Sequence, residues 1–280
     1  MVKEILIGVF RIKKFVVSFS ILAGIILMGV VGPIVDAVVP YKIVGPPEAR
    51  PSETYPLGTD SYGRDLFAQV LNGIRTSIYI GFLSAIVGTA IGVFVGTIAG
   101  FKGGLVDDLL MVVTNIMMTL PAMLLMILVA AYIEERNVLY VALIISFTSW
   151  GWIARGVRAQ IMSLREQQFV FMSRMAGLSD VKIAFADLLP NMASYVFMCF
   201  ILLASAAMLA EAGLSMIGLG VTSGYSLGTI LFWARMKEAV RRGLTWWFIP
   251  PGAILVATTT SLLVAATALD EYFSPRLRGS

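Results

Sequence analysis

Of the 280 residues, 58% are apolar and only 14% charged, with a mean hydropathy of +0.87, whereas soluble domains are about 45–50% apolar and about 25% charged. That balance excludes an ordinary soluble domain, and the net charge of +4 is scattered at the ends of apolar runs, where it marks membrane topology and not nucleic-acid binding. With no histidine and a single cysteine, Cys199, the chain can form no intrachain disulfide, His/Cys zinc site, Ser-His triad or Cys-His pair.

Six apolar runs reach the length of about 20 residues needed to cross about 30 Å of hydrocarbon. They lie at 15–36, 76–100, 106–132, 138–158, 192–214 and 246–269. The expected fold is therefore all-α, a polytopic membrane helix bundle with six transmembrane helices. The first run follows Lys3, Arg11, Lys13 and Lys14, but it is too long for a signal peptide and lacks a small-residue cleavage pattern, so it reads as a retained span. An even number of spans places both termini on one side, and the basic flank before the first span assigns that side to the cytoplasm. The cytoplasmic parts are then residues 1–14, Lys102, the 159–191 segment and a 271–280 tail with Arg276 and Arg278. Loops 37–75 and 215–245 are external. The second carries Arg235, Lys237, Arg241 and Arg242 against the positive-inside rule, which fits a stretch folded back on the bundle without settling it.

In the second run Ser84, Gly88, Gly92, Gly96 and Gly100 recur every fourth residue, a smooth helical face that points to close helix packing before any direct part in transport. The third run combines Met111, Met117, Met118, Met123 and Met126 with Pro121, which breaks the helix in its middle. Packing explains this pattern, and so does a gate that repacks. Its polar members Thr114, Asn115 and Thr119 should turn inward. Asn115 and Thr119, with Glu211 and Ser215 of the fifth run, are the candidate translocation-pathway residues. Glu211 needs a partner, a proton or an aqueous cavity; alternatively it anchors the turn into Gly213 and Gly218.

Residues 163–191 read as two short helices too short to span. Gly177 supplies a left-handed residue that ends the first, Ser179 caps the second, and Pro190 stops it before the fifth span. Phe169, Met172, Met175 and Ala176 share one face of the first helix, apart from Arg165, Glu166 and Arg174. Such an apolar stripe at the cytoplasmic surface needs a cover, either a partner protein or lipid headgroups.

Gly177 followed by Leu189, Pro190 and Asn191 resembles the cytoplasmic signature loop of ABC importer permeases, which docks into a groove of the ATPase subunit. LGTDSYGRD (57–65), NGIRTSIYIG (72–81), GTIAGFKGGLVDD (96–108), EAGLSMIGLG (211–220) and the closing SPRLRG resemble the second, C-type permease of dipeptide, oligopeptide and nickel importers. Four positions depart from that family: Phe171, Met172 and Ser173 stand where Glu-Ala-Ala is usual, and Asp187 where a histidine is frequent. The resemblance implies a coupling hairpin formed by Phe169, Phe171, Met172, Arg174, Met175, Gly177, Asp187, Leu189, Pro190 and Asn191, with Phe171 as an apolar anchor in place of the usual glutamate.

It also implies a multi-pass subunit of the inner or cytoplasmic membrane, paired with a homologous permease as a heterodimer. Two ATPase subunits would bind at the hairpin, and an extracellular or periplasmic substrate-binding protein would dock outside. No phosphate loop of the form G-x-x-x-x-G-K-[ST] occurs, so ATP and magnesium belong to the partner ATPases, and this chain is expected to be non-catalytic, with no cofactor or metal of its own. Peptide is the first choice of substrate, ahead of oligosaccharide and nickel, the last disfavoured by the absence of histidine. Two readings from other classes compete. An ion-coupled transporter or channel would favour intramembrane acids, of which Glu211 is the main candidate; a membrane enzyme would need a Ser-Lys dyad.

Overall fold

The computed structural model describes residues 12–35 and 39–273; Lys3, Arg11, Arg276, Arg278 and the SPRLRG motif lie outside them. Backbone groups in hydrocarbon have no water to bond, so a spanning segment must close its hydrogen bonds internally. The chain does so in order as α1 (Lys13–Val35), α2 (Leu66–Lys102), α3 (Gly104–Thr119), α4 (Ala122–Ala131), α5 (Val138–Ser149), α6 (Gly151–Leu164), α7 (Gln168–Met175), α8 (Ala193–Met216), α9 (Leu227–Met236) and α10 (Thr245–Phe273). Helices α1, α2, α8 and α10 are each long and apolar enough to cross a membrane. The pairs α3–α4 and α5–α6 are bent by 83° and 48° and reach spanning length when each pair is taken as one span, which brings the candidates from four to six. The all-α, multi-pass bundle read from the sequence is present, with two of its six apolar runs broken.

Helix α2 is the axis of the bundle. Lipid provides no hydrophobic drive between helices, so close packing and hydrogen bonds must hold them. The small-residue stripe supplies both: a Cβ added at Gly92 would lie 2.7 Å from Ile153 Cβ and 2.9 Å from the Trp150 carbonyl oxygen, and one at Gly88 would lie 2.7 Å from Leu203 Cδ2. At Gly100 the obstruction is the Arg158 carbonyl oxygen, at 2.7 Å, and Gly96 faces Ala154 and Val157. The Ser84 hydroxyl donates to the Ala142 carbonyl at 3.1 Å, and that of Ser146 to the Ser84 carbonyl at 3.2 Å.

Several expected boundaries shift. Helix α2 starts at Leu66 and not near 76, because Asp65 caps it by accepting the Phe67 N–H at 2.7 Å, and polar Asn72 and Arg75 are simply carried on its first turns. The loop before it is ordered around Asp60, whose Oδ1 accepts the amides of Tyr62 (2.8 Å) and Arg64 (2.9 Å) and whose Oδ2 accepts Gln69 Nε2 (2.9 Å). The hairpin segment begins after Leu164 and not at 159, since α6 continues to that point. Residues 215–245 do fold back, as α9 packed on α2, α8 and α10. Their basic residues are occupied there. Arg235 Nη1 donates to the Met216 carbonyl at 2.7 Å, Lys237 lies 4.7 Å from the Tyr62 ring centre, Arg241 pairs with Glu238, and Arg242 pairs with Glu48.

Candidate functional site

Both helix breaks open onto one cavity of about 460 Å³, lined by Met117, Met118, Thr119, Leu120, Pro121, Met126, Thr148, Ser149 and Trp152 among others. The first break follows from proline sterics. A residue before proline is driven out of the α region, and Leu120 is extended (φ −73°, ψ 133°). The second has a side-chain cause: Thr148 Oγ1 donates back to the carbonyls of Ile144 and Ile145, both at 3.0 Å, which bends helices, and Gly151 follows at once. Within a span, non-helical backbone is tolerated where it is buried in protein or lines an aqueous cavity. Here it lines a cavity, beside hydroxyls and adaptable methionines.

A polar seam joins the two broken spans. Arg158 Nε and Nη2 donate to Asp107 Oδ1 and Oδ2, each at 2.5 Å, so α6 grips the first turn of α3 through a bidentate ion pair. One turn along, Arg155 Nη2 donates to Asn115 Oδ1 at 2.8 Å, and Thr119 Oγ1 donates to the Asn115 carbonyl at 2.8 Å. Asn115 is thus a link to α6, whereas Thr119 faces the cavity. Sequence reading missed Arg158 and Asp107. The available signal was opposite charges near matching ends of neighbouring spans.

Below the cavity α6 leads into the hairpin. Its first arm is α7; its second is an α turn (Asp180–Lys182), a π-helical stretch (Ile183–Leu188) and a last α turn (Leu189–Asn191). Gly177 joins the arms with φ +76°, and an added Cβ there would meet open space. Ser179 occupies the cap position without a side-chain cap bond. Pro190 does not stop the second arm: it sits inside the last turn, and the helical path breaks at Met192 (φ −112°, ψ 15°). Proline has no N–H for an i−4 bond, and the π-helical stretch precedes that gap, while Asn191 Nδ2 secures the Asp187 carbonyl at 2.7 Å.

The hairpin is seated by residues outside the predicted set, together with Arg174 from within it. Val170, Ile183 and Leu188 are fully buried in the main core with Phe101, Val157 and Ile161. Arg174 lies over the Phe101 ring at 5.8 Å, Phe185 tilts against Phe94 at 6.3 Å, and Arg165 Nη1 donates to the Gly100 carbonyl at 3.1 Å. The predicted stripe of Phe169, Met172, Met175 and Ala176 faces the other way: Met172 and Met175 are 72% and 88% exposed, with Phe169 and Ala176 exposed beside them. Phe171, outside that stripe, is 52% exposed as well, and Leu189 is half-buried. Asp187 holds a buried Oδ2 with no partner among the described residues.

Glu211 and Ser215 lie elsewhere. Glu211 is fully buried; its Oε1 accepts the hydroxyls of Ser226 (2.6 Å) and Ser215 (2.7 Å), and Oε2 lies 3.5 Å from Ser77 Oγ. Ser226 caps α9 by accepting the Thr229 amide at 3.0 Å, and Ser77 Oγ accepts the Leu227 amide, also at 3.0 Å. The cluster therefore ties the start of α9 to α2 and α8, and the four proposed pathway residues do not meet in one place.

Residues 92–279 match the profile of a protein family described as "Binding-protein-dependent transport system inner membrane component". The chain belongs to that family. The matched region takes in both broken spans, the cavity between them, the hairpin and the Glu211 cluster apart from Ser77. Among curated relatives of this inner membrane component, the oligopeptide transport system permease protein OppC of Mycobacterium tuberculosis (strain ATCC 25618 / H37Rv) is 33% identical over 230 residues, covering 81% of this chain and 78% of the relative. OppC of Bacillus subtilis (strain 168) is 32% identical over 234 residues, covering 81% and 74%. The dipeptide transport system permease protein DppC of the same organism is 29% identical over 280 residues, covering 96% and 84%.

Proposed function

We propose that this chain forms half of the translocation pathway of an ATP-driven importer of di- or oligopeptides, paired with a homologous permease. Its termini and hairpin lie in the cytoplasm, and its α2-start end faces the external binding protein. It hydrolyses nothing itself: two partner ATPases, which carry ATP and magnesium, dock at the hairpin. The carrying observation is the construction of that hairpin. Val170, Ile183 and Leu188 fix it to the bundle while Phe171, Met172 and Met175 stand outward, a rigid lever with an apolar contact surface. Helix α6, about 21 Å long at 1.5 Å per residue, runs from the hairpin to the break at Trp150, and the Arg158–Asp107 pair passes its movement to α3. A push on the hairpin thereby changes the two bends that shape the cavity, a two-state element of the kind alternating access requires. The peptide substrate rests on the names of the relatives.

The test is ATP-dependent uptake of a radiolabelled dipeptide into proteoliposomes holding the complete complex. Phe171→Glu should sharply reduce co-purification of the ATPases and uptake together, because an uncompensated charge is placed in an apolar contact. Unchanged assembly and uptake would remove the hairpin from the coupling role. Uptake of an oligosaccharide or nickel but not of a peptide would overturn the substrate. For orientation, single cysteines at Ser52 and Ser179 in a Cys199→Ala background should label with an impermeant thiol reagent from outside intact cells at 52 only; the reverse pattern inverts the topology.

A further inference from the structure

At the end of the bundle where α2 begins, opposite the hairpin, the 39–65 loop meets the 217–226 loop around a second cavity of about 330 Å³, within the size range of small-ligand sites, roughly 300–1,000 Å³. Its walls include Tyr41, Arg64, Tyr225, Phe232 and Trp233. Arg64 is the notable member. Its Nη1 donates to the Tyr225 hydroxyl at 2.8 Å, its guanidinium carbon lies 4.9 Å from the Tyr62 ring centre, and its Nε–H is shielded from solvent with no acceptor. Among the described residues no carboxylate forms an ion pair with it. Of the acids nearest in sequence, Asp65 caps α2 by accepting the Phe67 amide, and Asp60 is occupied by the amides of Tyr62 and Arg64 itself and by Gln69. Because Tyr225 accepts from Arg64, its own proton is free to donate. Burial pushes the Tyr225 and Tyr41 phenols up and Arg64 only partly offsets this, so both remain protonated donors at neutral pH.

A cation with unused N–H groups, two phenol donors and an aromatic wall lack one thing, a planar anion with an apolar attachment. We propose that this cavity binds a carboxylate, the C-terminal carboxylate of a substrate peptide, with the guanidinium and the Tyr225 hydroxyl on its oxygens and Phe232 and Trp233 against the terminal side chain. Arginine suits this task because its planar fork matches a carboxylate in charge and geometry. The proposal rests on the peptide reading above for the source of the carboxylate, but not for the carboxylate itself.

Trp233 is a built-in reporter. Its emission is isolated as the difference between the purified complex and a Trp233→Phe complex, and is titrated with the dipeptide Gly-Phe, with Gly-Phe amide, with acetate and with ligand-free binding protein. The acid should give a saturable change and the amide a midpoint at least about tenfold weaker, since the amide presents no charge to the guanidinium. Arg64→Gln should weaken the acid about tenfold and leave the amide unchanged, with Arg64→Lys intermediate. Should Arg64→Gln fail to assemble, Thr222→Asp, an exposed change on the cavity wall, should compete for the guanidinium and weaken the acid while Thr222→Asn does not. Equal midpoints for acid and amide, or no response to either dipeptide or to acetate, overturn the site. A change produced by ligand-free binding protein alone overturns substrate as the occupant. Absence of peptide uptake alongside an intact acetate response sinks the peptide reading and leaves the carboxylate site standing.

Discussion

Replacing Asp107 by Asn removes one charge from the bidentate pair that binds α3 to α6, two bonds of 2.5 Å each. Breaking a fully buried ion pair by deleting one partner costs about 3–5 kcal/mol, because the survivor stays desolvated. The side chain of Arg158 is 30% exposed and that of Asp107 10%, so water reaches the guanidinium and the cost of Asp107→Asn falls to about 2–3 kcal/mol. Arg158→Met should cost at least as much, since it strands the more deeply buried member. The double variant removes both charges and should recover part of the loss, a coupling of about 2 kcal/mol in a double-mutant cycle. The measurement is unfolding of the purified permease pair by SDS titration, followed by tryptophan fluorescence, with uptake recorded in parallel. A double variant whose loss equals the sum of the single losses within about 0.5 kcal/mol would refute the pair as a mechanical link.

Three further outcomes follow from local geometry. Gly177→Val adds a side chain in open space at φ +76°, so its cost is conformational, about 1 kcal/mol or more; it should lower ATPase co-purification while Gly177→Asn, which tolerates that region, does not. Glu211→Gln keeps an acceptor for Ser215 and Ser226 and should cost about 1 kcal/mol or less, whereas Glu211→Ala strands two hydroxyls and opens a void, about 3 kcal/mol by thermal unfolding; equal losses would show that the charge, not the bonding, is what the site needs. Gly92→Ala forces α2 away from Ile153 and Trp150 and should destabilise the pair by about 1–3 kcal/mol, while Gly24→Ala, with nothing within 4 Å of its added Cβ, should leave stability unchanged; matching effects would contradict close packing at the stripe.

The sequence by itself determined what depends on neighbours along the chain. Apolar runs near bilayer length became spans, Pro121 broke the third of them, and Gly177 took a positive φ between two short arms. It also placed Ser84 to Gly100 on one face, because the helical period decides that without a partner. What it could not decide were pairings between distant positions. The outward turn of Phe171, Met172 and Met175 depended on Val170, Ile183 and Leu188 finding Phe101, Val157 and Ile161 in the core; a short helix with apolar residues on several sides has no local rule for which side is buried. Glu211 was visible as an anomaly, but its partners Ser77 and Ser226 come from α2 and from the residue capping α9. Arg158 and Asp107 stand 51 positions apart, and each alone is an ordinary charge near a helix end. Only the tertiary structure made them a pair, because a charge held away from water is stable where a complementary group on another helix reaches it, and that distance is set by packing and not by sequence separation.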